Sequence, residues 1–308
     1  MQVEKASGYS EFSTSRYFRL TAGKRRRTFR NVPPLQRLPG RVARASTRLD
    51  REIARRSFRR FSTYRAATVA GVATNTVFAF LKAFVLVAVI GSGAVGGLDA
   101  VGAVTFTFVV EGLAVVTNPF GEFGLAERIR TGDVVVDLYR PVDLQRYWFA
   151  QEVGRATFQV LWRGIPPFAI GALVFEMAVP DDPATWAAFA ASAALAFVVA
   201  FALNFCVQLV GFWILDARGA EQLSVSITMF FSGFIVPITL FPDWLGAVAR
   251  ALPFAAILQA PGEVFLGEHH GAGLLGVLTV QAVWAVALLG VGRVVLARAT
   301  QRVVVQGG

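Results

Sequence analysis

The sequence predicts an all-α fold: a polytopic membrane bundle of six transmembrane helices, preceded by a cytoplasmic amphipathic elbow helix and carrying an outer re-entrant helical pair. Three observations predict it. Apolar residues make up 55% of the 308 and charged residues 16%, which is more apolar surface than one soluble core needs. The charge is segregated. Residues 1–65 hold 18 Lys/Arg against 4 Asp/Glu, and the other 243 hold 12 against 16. The formal +10 is therefore a basic head on a nearly neutral apolar body. Finally, six stretches reach the roughly 20 apolar residues that a helix needs to cross a ~30 Å hydrocarbon core.

The head has two parts. Residues 1–45 contain Lys24-Arg25-Arg26-Arg27 and Pro33-Pro34 without apolar periodicity, and read as a basic, disordered cytoplasmic tail. No apolar run occurs within the first 30 residues, so no cleaved secretory signal is expected. In residues 46–64, Leu49, Ile53, Phe58, Phe61 and Tyr64 recur at helical spacing, with Arg51, Arg55, Arg56, Arg59 and Arg60 between them. A basic amphipathic helix directly before a span lies in the membrane interface. The rest, 46–308, reads as one transmembrane domain.

Its spans are placed at 66–90, 100–117, 156–179, 186–215, 223–241 and 272–297. The connections after spans one, three and five contain a single Lys or Arg, Arg250. The head, the connections after spans two and four, and the tail hold nearly all the others. The positive-inside rule then puts both termini in the cytoplasm, as an even number of spans requires. Pro166-Pro167 and Pro237 fall within spans three and five and predict kinks. The connection 118–155 is the only sizeable cytoplasmic segment in the body. It reads as a short helix over 119–130, a break at Gly132 that a left-handed cap would use, and a second piece ending at Arg140-Pro141. Tyr147 and Trp148 then enter span three as an interfacial pair. Between spans five and six, Trp244, Leu245, Val248, Ala249 and Leu252 share a helical face before Pro253, which predicts the re-entrant pair.

Several chemistries are excluded. No G-x-x-x-x-G-K-[ST] occurs, so the chain does not cradle nucleotide phosphates by that route. The single cysteine, Cys206, cannot form an intrachain disulfide and reads as a buried thiol. His269 and His270 are adjacent, point apart on any regular element, and make no metal pair by themselves. No catalytic, cofactor or metal residues are predicted. The residues that stand out are ionisable groups inside spans: Lys82, Glu111, Arg163 and, near an outer end, Glu176. Such groups cost roughly 2.5–3.5 kcal/mol at mid-helix and seldom face lipid. Counting 1.5 Å per residue leaves about 10 Å between the heights of Lys82 and Glu111, marginal for a pair. Lys82 is expected to reach outward to water. Glu111, Lys82 and Arg163 are the candidates for a pathway or a dimer interface, against ordinary contacts inside the bundle.

Two local motifs resemble a known family. Ile129-Arg130-Thr131-Gly132-Asp133 through Asp137-Leu138-Tyr139-Arg140-Pro141 is similar to the I-R-x-G…R-P coupling segment of ABC-2 type permeases. Ser232-Gly233-Phe234-Ile235-Val236-Pro237, Leu240-Phe241-Pro242-Asp243-Trp244 and Leu252-Pro253-Phe254 resemble its segment from span five to the outer helices. Tyr64-Arg65 fits a subgroup formerly of unknown function. The resemblance covers about 49–308. It implies an exporter subunit in the plasma membrane, paired with a second permease chain and with a separate ATP-binding cassette ATPase that holds the ATP and Mg²⁺; this chain itself has no cofactor. Membrane lipids are its surroundings, and no nucleic-acid partner is implied. Carried onto this sequence, 120–130 would be the coupling helix, and Arg130, Gly132, Asp133, Asp137, Arg140 and Pro141 would contact or brace the ATPase. A secondary transporter or channel working alone would predict inverted repeats, and a membrane scaffold or enzyme a polar cluster; neither is visible.

Overall fold

A computed structural model describes residues 40–306, apart from 92, 95, 120–123, 141 and 215. Nearly all of the tail 1–45 thus lies outside the described residues. The chain divides into two compact units at Ala43/Arg44, and the second, Arg44–Gly308, is the one described below. Its described elements are helical throughout: α1 (Gly40–Ser62), α2 (Arg65–Ile90), α3 (Ala100–Thr117), α4 (Leu125–Thr131), α5 (Val134–Leu138), α6 (Leu144–Gln159), α7 (Ile165–Val174), α8 (Pro183–Leu209), α9 (Arg218–Phe231), α10 (Asp243–Ala251), α11 (Gln259–Phe265) and α12 (Gly271–Gln306). Four of them, α2, α3, α8 with its 3₁₀ extension to Phe212, and α12, are long and apolar enough to cross a membrane.

The predicted spans three and five take other forms. Span three is a compound helix, α6 and α7 joined by a π turn over Val160–Gly164, running 144–174 rather than 156–179. The cause is Pro166-Pro167, which cannot donate to the carbonyls one α turn back. The Ile165 N–H instead reaches Val160 O, five residues back, and the chain stays helical across the break. Span five is shorter than predicted. Its helix, α9, has 14 residues and stops at Phe231. Gly233 follows in the left-handed region at φ 82°, and Pro237 is extended at φ −50°, ψ 135°, so the chain turns where a straight span was expected.

The helix read as the shortest span, α3, is the centre of the bundle. Its span is 72% buried, against 17% for α2 and 11% for α12, so α2 and α12 carry the outward faces. Phe106, Val109, Val110 and Leu113 of α3 join Val199 and Ala200 of α8, Ala256, Ile257 and Leu258 before α11, and Ala285 of α12 in the main core. Between membrane helices lipid is as apolar as leucine, so packing and buried polar contacts hold the bundle. Gln281 of α12 supplies such contacts, donating to Ser192 O at 3.2 Å and Ala256 O at 2.9 Å and accepting from Ser192 Oγ at 2.8 Å. α11 is buried along its length, Gln259 to Phe265, and lies against α3 and α8.

The helix before α2 extends further than predicted, from Gly40 rather than 46. Its aromatic residues pack on protein: Phe58 and Phe61 lie 5.5 and 6.4 Å from the Phe158 ring of α6. Arg146 of α6 pairs with Asp50. Gly154 lets the two backbones touch, since a Cβ there would lie 2.0 Å from Ala54 O.

Candidate functional site

The segment between α3 and α6 is fastened at each end. Arg155 of α6 is 5% exposed. It donates to the last carbonyls of α3, Val115 O at 3.0 Å and Val116 O at 2.8 Å, and to Glu152 at 2.6 Å. A cation on free C-terminal carbonyls satisfies groups the helix leaves open. Asn204 of α8 donates to Asn118 O at 3.0 Å, just past the same end. Gln208, one turn on, accepts from the Ala126 N–H at 2.7 Å and donates to Glu221 of α9 at 2.6 Å. Leu125, fully buried, packs with Val134, Leu144 and Trp148 against Phe201, Phe205, Leu209 and Leu296. Trp148 is therefore a core residue, a correction to its reading as an interfacial anchor: α4 covers the ring before lipid can.

Within the segment, α4 starts at Leu125, after Gly124 in the left-handed region, rather than at 119. It ends at Gly132, φ 82°, a left-handed cap as predicted. Asp137 is the buried centre, 3% exposed. Arg128 donates to its Oδ2 at 2.5 Å, and Arg140 Nη1 lies 3.2 Å from its Oδ1. That bond holds the Arg128 guanidinium above its ordinary range. The Arg140 guanidinium also lies over the Tyr147 ring, 5.1 Å from its centroid. Arg130 and Asp133 face outward instead. Arg130 forks onto Glu127 at 2.8 and 2.5 Å; that hydrogen bond holds the Glu127 carboxyl below its ordinary range. Asp133 accepts from Thr131 Oγ1 at 3.0 Å. Val135, Val136 and Tyr139 are exposed beside them, Tyr139 by 85%. The structure thus joins Asp137 with Arg140, sets Arg130, Gly132 and Asp133 at the surface turn, and leaves Pro141 outside the described residues. Sequence reasoning missed Arg128, Arg155, Asn204 and Gln208. Arg128 and Arg155 could have been found as arginines three to nine residues from an acidic partner; the other two lie in an apolar helix with no local signal.

The intramembrane charges resolve differently from one another. Lys82 of α2 does not reach outward to water as expected. Its Nζ lies 2.9 Å from Glu111 Oε1 of α3 and 3.7 Å from the centroid of the Phe234 ring. The predicted 10 Å offset assumed parallel, untilted helices. Side chains of this length close it when α2 and α3 pack face to face. Arg163, in the π turn, has no carboxylate within ion-pair distance among the described residues; its Nη2 donates to Asn75 Oδ1 at 3.3 Å. Glu176 lies beyond the end of α7 and is exposed. Away from the spans, the ligand atoms of Glu263, Glu268 and His269 lie within 4.8 Å of one another. Arg250 and Gln259 both donate to Glu263 Oε1 at 2.9 Å, so a metal ion would have to share that carboxylate with a guanidinium.

The segment thus carries exposed charges on one side, an internal clamp at Asp137 and a bond to α8 through Gln208. A family model described as ABC-2 family transporter protein matches residues 74–307, more than half of the chain and all helices from the middle of α2 onward. No curated protein matches the chain.

Proposed function

The chain belongs to the ABC-2 transporter family, a family of multi-pass membrane permeases, and from that membership we propose that it is the permease subunit of an ATP-driven exporter. In this reading it forms half of a translocation pathway. A second permease chain supplies the other half, and a separate ATP-binding cassette ATPase binds and hydrolyses ATP. The observation that carries the reading is the α4–α5 segment. Its outer surface offers Arg130, Asp133, Val136 and Tyr139, while its inner surface bonds to α8 through Gln208 and packs through Leu125 and Val134 on α6 and α8, with Asp137 clamping α5 to Arg128 of α4. A docking loop needs both properties: exposed contacts for the ATPase and rigid attachment to the helices that move.

The topology follows from the same reading. Six membrane passes, with α6–α7 as the third and α9 with its following turns as the fifth, place both termini and the α4–α5 segment in the cytoplasm. α1 is then an elbow helix in the inner interface, with its arginines toward anionic headgroups, and α10–α11 enter from the outer side. Lys82 on the outward-facing α2, its partner Glu111 on the central α3, and Arg163 in the π turn are assigned to the pathway or the permease dimer interface.

An affinity pull-down of the full chain in mild detergent tests the central claim. A soluble ATPase with a Walker A sequence should co-purify. It should be lost with Arg130→Ala/Asp133→Ala, whose side chains bond only within their own turn. A protein that purifies without an ATPase from its native membrane would refute the assignment and favour a transporter that works alone.

A further inference from the structure

The charges embedded in the first three passes are balanced with one exception. Lys82 faces Glu111, and Arg155 faces Glu152. Arg163 faces no carboxylate among the described residues, although an unpaired charge in a helix crossing a membrane is costly and is usually kept for a ligand. Its surroundings leave donors unsatisfied. The guanidinium lies across the backbone of α2 at Gly71, where a Cβ would come within 2.5 Å of Nε. Nη2 makes a single long bond to Asn75 Oδ1, 3.3 Å. Arg163 Nε and Asn75 Nδ2 are both buried without a hydrogen-bond partner. Gln159, one turn earlier, has an unpartnered Oε1, but it bonds neither of them. Two buried N–H donors without partners beside an uncompensated positive charge constitute a site that lacks its acceptor.

The position identifies the kind of acceptor. Gly71 and Asn75 stand about 9 and 15 Å along α2 from Arg65, within the half of the bundle nearest the arginine-rich helix α1. Arg163 itself is half-buried, and Leu161, Trp162 and Ile165 around it are exposed by 48%, 54% and 53% on the outward face. The groove between α2 and the π turn is therefore bordered by outward-facing side chains, on the side that would meet the acyl chains. It sits in the π turn, a local irregularity that often marks binding sites in helices. We propose that the α2/π-turn groove binds an anionic headgroup, a phosphate or carboxylate on an amphiphile entering from the leaflet, with Arg163 as the charge partner and Asn75 as the second donor. Only the 3.3 Å bond is broken when the guanidinium turns to meet it.

The test needs no ATPase, so its failure leaves the exporter reading untouched. The full-length protein in uncharged maltoside micelles is titrated with dioleoyl phosphatidylglycerol, dioleoyl phosphatidylcholine or inorganic phosphate, and the melting temperature is followed. The arginine-rich head contributes equally in every variant, so the difference between variants is the readout. Phosphatidylglycerol should stabilise the wild type. Its apparent affinity should fall about ten- to a hundredfold in Arg163→Gln, the size of a charge-assisted hydrogen bond. Gly71→Ala, which keeps the charge but pushes the guanidinium off α2 and away from Asn75, should show a fall of about tenfold. It decides the matter alone if Arg163→Gln does not fold. A matching response to inorganic phosphate keeps the site and moves its ligand to the aqueous phase; a response to phosphatidylglycerol alone places it in the leaflet. Unchanged or tighter binding in Gly71→Ala, equal responses to both lipids, or a change of oligomeric state in Arg163→Gln without a change in lipid affinity would each overturn the proposal. The last outcome would mean that the groove receives a carboxylate from another chain.

Discussion

Replacing Lys82 by methionine removes the cation that Glu111 meets among the described residues, 2.9 Å from its carboxylate. Glu111 is on the central helix and only 7% of its side chain is exposed, whereas 24% of Lys82 is. Removing one member of a buried pair costs about 3–5 kcal/mol, because the other charge stays desolvated. Lys82→Met leaves the deeper charge alone and belongs at the top of that range, about 5 kcal/mol. Glu111→Gln leaves the shallower charge, which keeps the Phe234 ring at 3.7 Å. That contact retains about 1 kcal/mol and puts this variant near 3 kcal/mol. The double variant Lys82→Met/Glu111→Leu leaves no buried charge and should lie within about 1 kcal/mol of the wild type or above it, since apolar isosteres commonly replace buried pairs without loss. Denaturant unfolding in maltoside micelles, followed by tryptophan fluorescence, compares these proteins, and Glu111→Leu alone closes the cycle with the double variant. If Glu111→Gln proves worse than Lys82→Met, or the double variant as unstable as the sum of the singles, the charge-pair account is wrong. A stable double variant that no longer transports would give the pair a role in the pathway beyond holding α2 to α3.

Gly154→Ala should cost about 1–3 kcal/mol by forcing apart two backbones that touch at Ala54, and limited proteolysis should then cut α1 ahead of any other described helix. Asp137→Asn, with both arginines of its clamp left in place, should lower the melting temperature and weaken ATPase capture together, whereas Tyr139→Ala should weaken capture at unchanged melting temperature, by about 1–2 kcal/mol for an exposed aromatic anchor. Gln208→Leu removes the acceptor for the Ala126 N–H and the donor to Glu221. It should keep the ATPase bound but reduce transport-coupled ATP hydrolysis, read as the ratio of substrate moved to phosphate released.

The membrane class and the family were legible because they are written in long averages: runs of apolar residues, the basic head, and motifs such as Ile129 through Pro141. Elements that depend on one bond were less so. Pro166-Pro167 announced an irregularity in span three, but whether it becomes a kink or a π turn depends on where the Ile165 N–H goes. The early stop of α9 was encoded in Ser232-Gly233, a pair that also matches the family motif and so drew attention away from its backbone meaning. Within the candidate site, exposed loop charges were legible and their anchors were not. Gln208 and Asn204 sit in α8, where a sequence offers only scattered polar residues in an apolar helix. Lys82 was misread for a related reason: rise per residue fixes height along a helix, but helix tilt and a long side chain decide which heights meet.

The placement of those anchors bears on how a signal would travel. Arg155 holds α3 from α6, Asn204 holds the same end of α3 from α8, and Gln208 joins α4 to both α8 and α9. A push on Arg130 or Tyr139 therefore reaches α8 through Gln208 and, through Asn204, the end of α3, the helix with the most buried span. α3 also carries Glu111, whose partner Lys82 stands on α2, the outward-facing helix that cradles Arg163. The breaks in regular helix lie elsewhere, at the π turn between α6 and α7 and at the Gly233–Pro237 turn after α9. Motion of the α4–α5 segment should consequently appear as a change of angle at those two breaks, with α3 and α8 moving as one body. Spin-label distances between α3 and α8 should stay fixed across the ATPase cycle while distances from either to α7 and α9 change; the reverse pattern would locate the hinge in the loop itself and remove its role as a lever.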